Sequence, residues 1–177
     1  MKNQIIVEIK KITNPDGTSK LGAITYLEEV LSTPDIKKRL STMEKEYESF
    51  IKQCKEILTR IQTPQGRSDA KLRWKLADKI YSFLNSDTKN IGVVLVNYID
   101  TLCRDLGVSK SDLRYTIKFR HKYRTLEELD SRINWSKYRE LLDFPNDKLR
   151  KDCETLIKDG KITTDALIRE FKQKNRK

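Results

Sequence analysis

Residues 95–124 read LVNYIDTLCRDLGVSKSDLRYTIKFRHKYR, and the parsing of this stretch decides the fold. Leu95, Ile99, Leu102, Cys103 and Leu106 recur at the three- and four-residue steps of an amphipathic helix. Gly107 follows where a helix C-terminus favours a residue able to adopt positive φ. Ser109, with Asp112 three residues later, has the spacing of a capping box for the next helix. Around the turn Leu102, Cys103, Leu106, Val108, Leu113 and Ile117 are apolar or small, as two closely crossing helices require. The expectation is a helix-turn-helix.

Its second helix is unusually cationic. Between positions 110 and 124 there are six Lys or Arg against one acid, Asp112. A helix lying in a major groove reads bases with residues near its N-terminus and places later cations on phosphates. That assigns Lys110, Ser111, Arg114 and Tyr115 to base edges, and Lys118, Arg120, Lys122 and Arg124 to the backbone. His121, the only histidine, is read as a polar contact or phosphate donor, because the sequence places no nucleophile or carboxylate beside it. Helix-turn-helices also dock proteins or serve as small cores. A protein-interaction module that recruits a nuclease or other DNA-processing subunit is therefore the rival reading.

Composition bounds the remainder. Charged residues make up 36% of the 177-residue chain and hydrophobic ones 37%, with six Gly and four Pro, the profile of a folded, helix-rich protein. The formal net charge of +11 favours a polyanionic partner, of which nucleic acid is the commonest. Lys-rich composition alone would carry no such meaning, but its concentration over 110–124 is not a uniform bias. Cys54, Cys103 and Cys153 form neither a CxxC pair nor a disulfide framework, and a single histidine leaves zinc without its usual ligands. No cofactor is implied. The N-terminal run MKNQIIVEIKK is too short for a signal peptide or membrane span, so a cytoplasmic location is expected, nucleoid-associated if the protein binds DNA.

Residues 4–12 are β-branched and lead into Asn14-Pro15-Asp16-Gly17, a turn that would close a hairpin with 21–26, although 23–31 also reads as a short helix. From Pro34 to Gln62 no breaker intervenes, and Ile36, Leu40, Met43, Tyr47, Phe50, Ile51, Cys54, Ile57, Leu58 and Ile61 form one apolar stripe. That stripe reads either as a face of the core or as a homodimer contact through 34–62. Thr63-Pro64-Gln65-Gly66 then separates an N-terminal segment, 1–66, from a helical domain, 67–177. Helices follow over 69–85 and from about 89 to 106. The run Ile91 to Val96 looks like a strand when taken alone, yet length and period favour the helix. Further on, Asn134 caps WSKYRELLDF, a helix starts at Pro145-Asn146-Asp147, and Thr163 or Thr164 caps a last helix with a basic tail.

Three blocks carry a family resemblance: Trp74-Lys75-Leu76-Ala77-Asp78-Lys79-Ile80; the helix ending Leu106-Gly107-Val108-Ser109 with Leu113 and Phe119; and the run from Ile133 through WSKYRELL, 135–142. Together they resemble the N-terminal helical domain of the YhcG-type PD-(D/E)xK nuclease family over about residues 70 to 172. Lys137 stands at the family's usual His and Ala77 at its usual Gly, so a role tied to that His does not carry over. The resemblance implies a DNA- or nuclease-associated helical module, without the family's nuclease domain. Glu170-Phe171-Lys172 is formally an ExK, but it falls on a predicted helix with no converging strand carboxylate and reads as chance. A small metal nuclease using Glu170 and a distant Asp is the third reading. The expectation is thus an all-α, multi-helix domain containing a helix-turn-helix, with a long N-terminal arm and a short β-hairpin, binding duplex DNA without catalysis.

Overall fold

The computed structural model describes residues 5–13, 19–25, 34–87 and 93–175. Its elements run β1 (Ile5–Thr13), β2 (Ser19–Thr25), α1 (Pro34–Gln62), α2 (Ala70–Ser82), β3 (Val93–Leu95), α3 (Tyr98–Leu106), α4 (Lys110–Lys122), α5 (Trp135–Leu141), α6 (Asp147–Lys158) and α7 (Asp165–Lys174). The chain is a mostly helical, multi-helix fold with one small sheet, as expected. It divides into two compact units, Met1–Glu56 with Lys79–Leu113, and Ile57–Asp78 with Arg114–Lys177. This division cuts across the boundary read at 66. The break at 63–66 does end α1, but α1, α2 and α4 each give residues to both units, so a helix stop is not a core boundary.

In the first unit β1 and β2 form the expected antiparallel hairpin, in register from Val7 opposite Thr25 to Thr13 opposite Ser19. The turn read at 14–17 lies outside the described residues. Residues 23–25 are strand rather than the start of a helix, and 26–31 also lie outside. A third strand corrects the helix expected from 89. Val93–Leu95 pairs parallel to β1, Ile5 with Val93 through Val7 with Leu95, and Val96 N–H donates to the Val7 carbonyl at 3.1 Å. Asn97 then takes a left-handed conformation, φ 53, and α3 starts after it. The β-branched run follows its strand propensity because a partner strand supplies the ladder that periodicity alone cannot see. Arg104 on α3 ties helix to sheet, donating to the Ile9 carbonyl at 3.2 Å while its Nε meets Asp105 at 2.6 Å. Asp105 also accepts from the buried Tyr47 hydroxyl at 2.7 Å, and Phe50 stacks on Phe83 with centroids 4.2 Å apart.

Nine of the ten stripe residues of α1 are buried within the single chain, and Ile57 is half-buried. The stripe is thus covered within one chain, the core-face reading of it.

The second unit is built on an aromatic centre. Phe119 meets Tyr123, Trp135 and Tyr138 at centroid distances of 5.1, 5.2 and 5.3 Å, largely edge-on, the geometry that ring quadrupoles prefer. Leu141, Leu142, Phe144, Cys153, Ile157 and Ile168 complete the same core. Trp135, Tyr138, Leu141 and Leu142 thus pack the interior, the ligand-free explanation of WSKYRELL. The caps read at Asn134 and at Thr163 or Thr164 are present, Asn134 accepting from Lys137 N–H and Thr164 from Leu167 N–H, and Asn146 accepts from Leu149 N–H at the start read over 145–147. Inside this core the Glu154 carboxylate accepts from the Tyr123 hydroxyl at 2.6 Å and from Arg150 at 2.7 Å, and the Arg150 guanidinium lies 4.6 Å from the Tyr123 ring centroid.

Tyr47, Tyr123 and Tyr138 all have pKa values above the ordinary 10.0, chiefly because burial disfavours the phenolate. A folded-state pKa raised in this way contributes stability that is full below the unfolded value and lost as pH rises past it. Urea midpoints are therefore expected to fall above about pH 10, and ultraviolet titration should show these three phenols ionising only as the protein unfolds. Three ordinary titrations in the folded state would contradict this.

Candidate nucleic-acid interface

The local path read around Gly107 is present. Gly107 ends α3 at φ 67, a left-handed conformation that costs glycine nothing, and its N–H donates to the Cys103 carbonyl. The Ser109 hydroxyl accepts from Asp112 N–H at 3.1 Å and donates to the Asp112 carboxylate at 3.1 Å, which starts α4. Gly107 and Ser109 thus stop one helix and start another within three residues. Residues 110–113 of α4 belong to the first unit and 114–122 to the second.

The nine candidate residues divide by partner. Lys110 is exposed and paired with Asp100 at 2.5 Å, and Ser111 is exposed beside it. Arg114 is exposed and has no ion pair among the described residues. The Tyr115 hydroxyl donates to Asp143 at 3.0 Å, and Lys118 Nζ meets the other oxygen of the same carboxylate at 2.8 Å. Lys122, one turn further, pairs with Asp147 at 2.9 Å. Arg120 is half-buried, held by Asp78 at 2.6 Å and lying 5.1 Å from the Trp74 ring centroid. Two residues after Lys118, it points to nearly the opposite side of the helix, as the 3.6-residue turn requires. His121 and Arg124 are exposed, and Arg124 lies beyond the end of α4, its backbone N–H bound by Glu128 at 3.1 Å. The structure therefore brings Tyr115 and Lys118 onto one carboxylate, sets Lys122 one turn along, and separates Arg120 from them.

Three residues outside the candidate set join Tyr115 and Lys118. Arg139 on α5 places its guanidinium 4.7 Å from the Tyr115 ring centroid, within cation–π range. Asp143 follows α5, and Lys172 on α7 is close enough for its charge to act on the Asp143 carboxylate. Burial raises the Asp143 pKa, but the hydrogen bonds from Lys118 and Tyr115 and the charges of Lys118 and Lys172 outweigh it and hold the group below its ordinary value. Hydrogen bonding to Asp143 pushes the Tyr115 phenol up. Phe144 and Phe171, with ring centroids 6.2 Å apart, pack the segment after α5 against α7. Sequence spacing does not reveal this cluster, because Tyr115, Lys172 and the stretch holding Arg139 and Asp143 lie on three separate segments.

Glu170, the acid of the formal ExK, is exposed on α7 and ion-paired with Lys174 at 2.7 Å. Among the described residues no group of three or more His, Cys, Asp or Glu is placed to hold a metal ion. Burial pushes the Cys54 thiol up to about 12 and the Cys153 thiol up to about 11, the behaviour of packing residues. Among the described residues no helix is long and apolar enough to cross a membrane. No protein-family model matches this chain, and neither a curated protein nor a solved structure matches it.

Proposed function

We propose that the protein binds nucleic acid, with duplex DNA as the favoured form, through its second unit. One observation carries this reading: the charge is segregated. Residues 57–78 and 114–177 hold 23 Lys or Arg and 13 Asp or Glu, a formal +10, whereas 1–56 and 79–113 hold 14 and 13, a formal +1. A compositional bias would load both units alike. A positive field concentrated in one unit raises the local concentration of a polyanion and releases its counterions on contact.

Arg114 and Lys118, exposed on α4 in this unit, with the half-buried Tyr115, are the proposed contacts. In anisotropy titrations with a labelled duplex, Arg114→Ala with Lys118→Ala should weaken binding about tenfold at low salt and flatten the dependence of log K on log salt by about 2. If the wild type shows no salt-sensitive affinity for any duplex or single strand, the reading fails. The rival, a module recruiting a nuclease or other DNA-processing subunit, is favoured by one feature. Lys110, Lys118, Arg120 and Lys122 already have carboxylate partners, which lessens the charge they offer a phosphate. Capture of a defined protein partner by a chain with no nucleic-acid affinity would favour that rival.

A further inference from the structure

The carboxylate partners themselves have a meaning if the second unit binds nucleic acid, the reading on which this inference rests. We propose that Asp143 occupies a phosphate site, and that the Tyr115, Lys118, Arg139 and Lys172 cluster takes a backbone phosphate of the nucleic acid when the Asp143 side chain moves aside. The cluster bonds one acid to the Lys118 ammonium and the Tyr115 hydroxyl, with the Lys172 charge acting on the same carboxylate and the Arg139 guanidinium over the Tyr115 ring, from α4, α5 and α7. Three cations to one carboxylate is an incompletely neutralised site. A phosphodiester offers two charged oxygens in place of the two Asp143 oxygens that now accept separately from Tyr115 and Lys118.

Two further features fit. The frame is fixed, since Tyr115 and Phe171 pack on the core and Phe144 is buried in it, so the Tyr115 hydroxyl is positioned before a ligand arrives. The acid is not fixed to the same degree: the Asp143 side chain is 37% exposed and the Lys118 side chain 44% exposed, so the carboxylate can turn outward without disturbing the core. The arrangement also repeats. Lys122 lies one helical turn, about 6 Å of rise, beyond Lys118 and meets a second exposed carboxylate, Asp147, at 2.9 Å. Along this face of α4 the chain places acids where two phosphates would sit.

The test compares Asp143→Asn with Asp152→Asn, an exposed acid that changes net charge equally, by anisotropy with a labelled mixed-sequence duplex over a range of salt concentrations. Asp143→Asn is expected to tighten binding about fivefold at low salt and to steepen the salt slope by about 1, as one more phosphate bound without competition would do. Asp152→Asn should have a smaller effect, and Arg139→Ala in the Asp143→Asn background should reverse the tightening. Asp143→Ser serves if the asparagine variant does not fold. Equal tightening by Asp143→Asn and Asp152→Asn would reduce the effect to net charge and overturn the proposal. No change with Asp143→Asn, while Arg114→Ala with Lys118→Ala still weakens binding, would overturn it too and leave the nucleic-acid reading standing. Absence of salt-sensitive binding in every variant, the wild type included, would remove both.

Discussion

Gly66→Ala is expected to destabilise the protein by about 3 kcal/mol, the upper end of what overpacking costs. A Cβ built on Gly66 would sit 1.9 Å from the Arg60 carbonyl oxygen, 2.8 Å from its carbon and 3.0 Å from the Ile61 Cα. All three obstructing atoms are backbone, at the end of α1. They cannot turn away as a side-chain tip would. The turn is also tied down locally, with Gly66 N–H donating to the Thr63 hydroxyl at 3.1 Å and that hydroxyl donating to the Arg60 carbonyl at 2.8 Å. Gly107→Ala is the natural comparison. Gly107 has φ 67 and nothing within 4 Å of a built Cβ, so alanine there meets only the left-handed backbone penalty, about 1 kcal/mol. Urea unfolding of the two variants should therefore rank Gly66→Ala well below Gly107→Ala. Equal midpoints would show that the chain after α1 relaxes to admit a methyl group.

Glu154→Leu is expected to cost about 3 to 5 kcal/mol, the range for removing one member of a buried ion pair. Glu154 is 8% exposed and Arg150 5% exposed. Without Glu154 the guanidinium is left with Asp147, at 3.5 Å, and with Tyr123, and the Tyr123 hydroxyl loses its acceptor in the core. Each group left without a partner then bears its own desolvation cost. The triple replacement Tyr123→Phe, Arg150→Met, Glu154→Leu removes every polar member at once and should be much closer to the wild type than Glu154→Leu alone. Stability no better in the triple variant would mean that packing volume, rather than the orphaned charge, sets the cost. Urea midpoints decide between these outcomes.

Most of the helices were legible in the chain because their signals are local. The stop at Gln62, the caps at Ser109, Asn134, Asn146 and Thr164, and the left-handed Gly107 each depend on a few neighbouring residues, and each is where its residue type predicts. Where two local signals competed, periodicity was the weaker guide. The β-branched run at 93–95 became a strand because β1, nearly ninety residues earlier, provides hydrogen-bond partners. A turn signal reports the end of a helix, as at Gly66, whereas a compact unit is defined by which segments pack together, and the two units divide the chain at other positions.

The candidate interface shows the same separation. Residue types and spacing alone determined a cationic second helix with Arg114, Tyr115, Lys118 and Lys122 on its surface, since charge density and helical period are properties of contiguous sequence. Only the tertiary structure decided that Arg120 turns to Asp78 and Trp74, that Lys118 and Tyr115 share Asp143, and that Arg139 and Lys172 arrive from other helices. Ion pairing depends on distances of a few ångströms between segments far apart in the chain, and Coulomb's law has no sequence period from which those distances could be read.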